Sequence, residues 1–398
     1  MAFLTQNMKQ SAGEWRRLLS KRLWLRVLLA FLNVPVQLAF AASVQSIPLA
    51  AAPTGLALAP DGSLVASNGR GYTISLIDPN TSAVRELPVG LLPLTPQVDA
   101  TQGRAFVASS VDPVVTVYNF GSQQIETGLD LAGPATAVAL DASAARLYVG
   151  VQPNLVQVFD TASLTLVATS EVGWNVNAIA ADSARGRAAV LSRDALVTWL
   201  NTDGAWLSQR FVGFQTRELV NVSVNGPNKE GDGPDIDMQW RTVNVSSEPS
   251  AIAIDSASGW AWVAGELTGQ ITGTDVDTEH PVVYNVGSKP RALAVHNGQA
   301  AVANWGDNTV SLVTLADGTS TKHGVGYAPS TIVLDTNLNR VLIAENIRNS
   351  LGVLNLNDLS YERIALGRNP SALVWDAATN RVYVANSGSS SLSIVSLP

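Results

Sequence analysis

The sequence predicts an all-β fold, a β-propeller of four-stranded antiparallel blades, most simply eight of them. Three observations predict it. A phrase of about 40 residues recurs from end to end, within the range of propellers and solenoids. Each copy but the last divides into four short strands separated by turns rich in Asp, Asn and Gly. The last copy, "PSALVWDAATNRVYVANSGSSSLSIVSLP", holds only three strands, and the segment from Ser43, "SVQSIPLAAA", reads like the absent fourth.

The copies open near residues 53, 96, 134, 176, 249, 290, 329 and 370. Six are clear, among them "PTGLALAPDGSLVASN", "PRALAVHNGQAAVAN" and "PSTIVLDTNLNRVLIAEN". The copies from Pro96 ("PQVDATQGRAFVASS") and Val176 ("VNAIAADSARGRAAVLS") are weaker, and seven blades is the alternative if one of them is not a blade. The first strand of a unit is rich in alanine, which suits crowding near a central axis. Its opening proline costs little, because a strand's first residue can go without a ladder bond. The second strand, as in Val382-Tyr383-Val384, is apolar on both faces and needs cover on both faces. The third alternates Ser or Thr with Val or Leu, and the fourth ends in phrases such as "ALGRN" or "NVGSK". No 3.6-residue apolar period is sustained, which excludes a helical solenoid, and a β-helix would use shorter rungs. Pairing of the segment from Ser43, which resembles "RELPVG" and "ERIALG", with the final strand is expected to close the ring and remove its exposed edges.

Residues 1–41 differ from the rest. A basic cluster (Arg16, Arg17, Lys21, Arg22) precedes an apolar run from Leu23 to Phe40 that ends in Ala39-Phe40-Ala41, the layout of a signal peptide cleaved after about Ala41. Arg26, Pro35 and Gln37 make the run a poor membrane span. Removing this segment takes six basic residues from 25 and one acidic residue from 32, leaving 19 and 31, a net charge near −12. That balance opposes a nucleic-acid partner, which needs a positive surface. A periplasmic or extracellular chain with no stable membrane span is expected. The absence of cysteine excludes disulfides, thiolate nucleophiles, thiolate zinc sites and covalently attached c-type haem.

The phrases "RVYVANSGSSSLSIVSL" and "AAVANWGDNTVSLVTL" resemble the YVTN-type β-propeller repeat over residues 43–398. The resemblance implies a propeller of the kind found among surface-layer and periplasmic proteins, and it implies no particular reaction.

Unit four departs from the pattern. It spans 176–248, and Gly204–Trp240 reads as an insertion in blade four, with "RTVNVSSEP" restoring the fourth strand afterwards. The strand-like "ELVNVSV" and Trp206, Phe211 and Phe214 predict an ordered hairpin packed against the barrel side. Its tip, "EGDGPDID", gathers Glu230, Asp232, Asp235 and Asp237, hard oxygen ligands of a weak Ca²⁺ candidate whose spacing does not match an EF-hand. No other cofactor is expected.

In this architecture the turn joining second to third strands and the loop entering the first strand share one face around the axis. Those segments carry Arg70, Asp112, Trp174, Arg193, Glu266, Lys289, Trp305, Asp307, Glu345, Arg348 and Arg368. Asn304, Asn346 and Asn386 recur at one repeat position and are expected to satisfy backbone groups in the turn. Residues that break the repeat, chiefly Trp305, Asp307, Glu345 and Arg348, with Glu266, Arg193 and Arg70 beside them, are the candidate ligand-binding residues. His280, His296 and His323 fall away from that mouth and share no metal-ligand spacing. No nucleophile elbow, zincin or Walker motif is present, and no catalytic residue is assigned. The expectation is a non-catalytic exported module that binds a protein or small molecule. The alternative is an enzyme or redox-enzyme subunit, resembling amine dehydrogenase heavy chains or companions of quinoproteins.

Overall fold

The computed structural model describes residues 42–223, 236–245, 248–277 and 281–398. The expected leader (1–41), the acidic tip residues Glu230, Asp232 and Asp235, and His280 lie outside them. Eight four-stranded antiparallel sheets follow one another along the chain, with first strands opening at Pro53, Gln97, Ala135, Val176, Pro249, Pro290, Pro329 and Pro370. Both weak copies are blades. Seven of the sheets run in simple chain order, and the eighth is completed by the strand Ser43–Pro48. That strand pairs antiparallel with Ser391–Ser396, Ser43 opposite Ser396 and Pro48 opposite Ser391.

The second strands are the spine. Leu64, Val65, Ala66 and their counterparts Val341, Leu342 and Ile343 are all wholly buried, as residues with neighbours on both faces must be. Burying one such aliphatic side chain stabilises by roughly 1.5–3 kcal/mol. The core is divided accordingly. Eight apolar clusters occupy the seams, and the seam between the last blade and the first joins Ile47 and Tyr383 to Leu56 and Leu64.

First strands carry a bulge immediately after their opening residue in every blade but the second, as between Pro249 and Ala251 or Pro370 and Ala372. Proline, where it opens the strand, offers no N–H, and in all seven blades, including those opened by Ala135 and Val176, the following residue slips out of the ladder and its side chain turns sideways. Ser250 Oγ thereby donates to Pro290 O at 2.7 Å, Asn177 Nδ2 to Pro249 O at 2.7 Å, and Ser371 Oγ to Pro53 O at 2.9 Å. These bonds link blade 4 to 5, blade 5 to 6 and blade 8 to 1 near the axis.

At the opposite end of the blades a second link recurs. In blades 2, 3, 4, 7 and 8 an arginine opens the second strand, directly across from an aspartate that ends the first: Asp99 faces Arg104, Asp141 Arg146, Asp182 Arg187, Asp335 Arg340 and Asp376 Arg381. Each guanidinium reaches the following blade. Arg104 Nη1 donates to Thr161 O at 2.7 Å, Arg146 Nε to Thr202 O at 2.9 Å, and Arg340 Nη2 to Asn380 Oδ1 at 2.7 Å.

Blade 4 corrects the boundaries of the expected insertion. Its fourth strand is Trp206–Phe211, in register with Leu196–Asn201, so the blade is complete before the extra segment begins. "RTVNV" belongs instead to Ile236–Val245, which pairs with Phe214–Ser223 as a separate two-stranded sheet. The extra hairpin therefore occupies the connection from blade 4 to the first strand of blade 5, and not the interval before the fourth strand. Among the described residues no helix is long and apolar enough to cross a membrane.

Candidate functional site

In six of the eight blades the second strand ends, at the axial mouth, in a buried polar residue: Asn68, Ser109, Ser192, Asn304, Glu345 and Asn386 occupy this place, where blades 3 and 5 have Val151 and Gly265. Asn304 Nδ2 donates to Thr309 Oγ1 at 3.0 Å and Ser311 Oγ at 2.9 Å, while its Oδ1 accepts from Gly287 N at 3.1 Å. Asn386 Nδ2 donates to Ser393 Oγ at 2.9 Å in the same manner. The side chain thus ties the second strand to the third and to the loop leaving the fourth. The glycine of that loop is required by closeness: a Cβ at Gly287 would strike the Asn304 amide, and one at Gly326 the Glu345 carboxylate. This accounts for the glycine in "NVGSK" and "GVGYA".

Two candidates are tied into the turns of the blade by this geometry. Glu345 is wholly buried and holds the place of Asn304 and Asn386, with Asn346 one residue further on, so the expected alignment of Asn346 with those asparagines was shifted by one. Its carboxylate accepts from Gly326 N at 2.7 Å, Ser350 Oγ at 2.6 Å and Arg363 Nε at 3.1 Å, which holds it inside the blade. Asp307 accepts from Ser288 N at 3.0 Å and from Thr309 Oγ1 at 2.6 Å. Asp112 takes Leu91 N at 2.6 Å and Asp194 takes Trp174 N at 2.9 Å in the same way, so Asp307 follows the repeat and serves as a loop latch.

The other candidates sort by position. Arg193 and Glu266 come together in one cavity of about 550 Å³ between blades 4 and 5, shared with Asn177, Glu248 and Pro249. Glu266 Oε1 lies 3.1 Å from Arg291 Nη2, and the Arg291 guanidinium stacks 4.1 Å from the centre of the Trp305 ring. Lys289 approaches the same ring at 5.7 Å. Glu266, Arg291, Trp305 and Lys289 therefore form one continuous strip of alternating charge and indole beside the cavity. Arg348 is exposed and lies 4.4 Å over Tyr327 in blade 7, and Arg70 is exposed in the blade 1 turn.

Arg291, Glu248 and Asn177 were not singled out from sequence. Arg291 and Asn177 sit at the bulged position after the opening residue, where Thr54, Thr136, Ser250, Ser330 and Ser371 stand in other blades. A departure from small hydroxyl residues at that position was the available signal.

His296 ends the first strand of blade 6 and His323 lies in its fourth strand, 3.0 Å from Thr321 Oγ1, both away from the cavity. Among the described residues no group of three His, Cys, Asp or Glu side chains is placed to hold a metal ion. Of the Ca²⁺ candidates only Asp237 is described, in the hairpin strand opposite Val222.

The sequence matches no protein-family model and no curated protein. Among solved structures, the computationally designed Ika8 protein superposes with a TM-score of 0.68 at 16% identity, covering 89% of this chain and 100% of that one. The C-terminal WD40 domain of Sif2 gives 0.65 at 11% identity, over 90% and 99% of the two chains. Virginiamycin B lyase from Staphylococcus aureus gives 0.55 at 13% identity, over 90% and 100%. The shared feature is the β-propeller fold, which in this chain has eight blades. At these identities the likenesses carry that fold and no activity.

Proposed function

We propose that this propeller is an exported recognition module that takes a polar partner, small molecule or protein loop, at its axial mouth. The observation that carries the reading is the cavity between blades 4 and 5, with Arg193, Glu248 and Glu266 on its walls and the Arg291–Trp305 stack beside it. Groups of this kind select by charge and stacking: paired signs suit a ligand carrying both, and an indole supplies a flat apolar surface. Glu248, on the wall of the same cavity, stands three residues after Val245, the last residue of the extra hairpin (Phe214–Ser223 and Ile236–Val245). Export is supported by the leader layout of residues 1–41, and an extracytoplasmic role by the resemblance of "RVYVAN" to YVTN-type repeats.

The test compares the wild-type protein with a triple variant, Arg193→Ala, Glu266→Ala and Trp305→Ala, as baits for a periplasmic extract analysed by native mass spectrometry. The expected result is a species retained by the wild type and lost by the variant, with melting temperatures alike. Equal retention by both would remove the mouth as the recognition surface.

A further inference from the structure

The arginine that opens the second strand and clamps the next blade is missing from blades 1, 5 and 6, where Ser63, Trp260 and Gln299 stand instead. Clefts open at the three seams that follow, between blades 1 and 2, 5 and 6, and 6 and 7. Only blade 5 keeps the aspartate after losing the arginine. Asp255 N bonds to Trp260 O across the strand pair, in the relation Asp182 has to Arg187, and Asp255 is 2% exposed. Its oxygens accept from Ser258 Oγ at 2.7 Å and Gly298 N at 3.4 Å, and among the described residues no cation pairs with it. A carboxylate this buried is stable as a charge only with a counter-charge or strong donors.

The cleft beside it measures about 320 Å³ and is walled by Trp260, Trp262, Tyr284 and Leu315. Trp260 stacks on Trp262 at 6.0 Å and Trp262 on Tyr284 at 5.4 Å. The chain elsewhere shows what such a setting receives. Arg187 pairs with Asp182 at 2.9 Å and lies 4.5 Å over Trp199, and Arg340 pairs with Asp335 at 2.7 Å and lies 5.3 Å over Trp375. Twice, then, an aspartate and an indole enclose a guanidinium of the chain's own. In blade 5 the aspartate and the indoles remain, and the guanidinium is absent.

We propose that the cleft between blades 5 and 6, on the face opposite the axial mouth, binds the guanidinium group of a small molecule. Asp255 accepts its N–H groups and the aromatic walls take its planar face, a combination that suits guanidinium better than ammonium. The size fits a compact ligand and not a folded partner.

The probe is L-arginine amide, with L-citrulline amide as its neutral isostere, titrated by calorimetry into the full chain. Arginine amide is expected to bind saturably, roughly tenfold or more tighter than citrulline amide, as a charged pair with a buried carboxylate requires. Trp260→Arg restores the arginine in place, so it should melt a few degrees higher than wild type and no longer bind the probe. Asp255→Asn should abolish the preference for arginine amide over citrulline amide. Equal affinity for the two amides, no saturable binding, or unchanged binding by Trp260→Arg would each overturn the assignment. The mouth variant Arg193→Ala with Glu266→Ala should bind arginine amide normally, which separates this cleft from the recognition proposed at the mouth.

Discussion

Glu345 and Trp305 stand one position apart in the repeat and do opposite work. Glu345 satisfies Gly326 N, Ser350 Oγ and Arg363 from inside the blade. Glu345→Ala strands these donors at a buried site and should cost roughly 2–3 kcal/mol, seen as a lower midpoint in urea unfolding. Trp305→Ala at the half-buried rim should leave that midpoint close to wild type. Both residues break the repeat by type, which is why sequence grouped them. Only register separates them, and a one-residue shift moves a side chain between faces. Acid sensitivity also belongs to this scale. The Arg104 side chain holds the Glu126 carboxyl below its ordinary 4.5, and the Ser163 N–H, with the Ser163 hydroxyl and Arg146 adding, holds Asp160 below 3.8. Depressed carboxylates contribute stability that is complete above those ordinary values and is lost as pH falls through the lower folded ones. The melting temperature should therefore be flat from neutrality to about pH 5 and decline below about pH 4, with Glu126→Gln flattening part of that decline.

At the scale of elements, second strands and proline-led first strands were legible because nothing else in a chain looks apolar on both faces and recurs with fixed spacing. The blade 4 boundary was not. "RTVNV" alternates as a fourth strand does, and pattern alone cannot say which neighbour an alternating strand will choose. Trp206–Phe211 wins because it follows a short turn after Asn201, with Ala205 N held on Asn201 Oδ1 at 2.8 Å. The hairpin beyond it begins with Phe214 directly opposite Val245, so its two ends are adjacent. Excising 214–245 and joining Gly213 to Ser246 should leave a folded propeller whose melting temperature stays within a few degrees of the parent by calorimetry. The arginine clamps were not read from the sequence, since their acceptors, backbone carbonyls and asparagine side chains, belong to the following blade. Arg104→Met should remove its donors to Thr161 O and Ala162 O together with the Glu126 pair, costing about 1–2 kcal/mol in chemical unfolding.

For the whole molecule, closure is the decisive feature, and it was the most legible: a three-stranded final unit and a fourth-strand phrase near residue 43 left one way to complete the ring. Ile47, 1% exposed, anchors that strand in the seam with Leu392 and Ile394. A form beginning at Leu49 loses six pairings along Ser391–Ser396 and leaves an open edge, so it should melt well below the intact chain and associate on standing. A synthetic peptide of residues 42–48 added in trans should restore part of the loss. Unchanged melting on truncation would mean that the eighth blade holds without its first-made strand.

That arrangement sets the order of events during synthesis. Ser43–Pro48 leaves the ribosome long before its partner Ser391–Ser396, which follows about 350 residues later, so the ring can close only when the final strand has been made. Until then every intermediate is an arc with two bare ends.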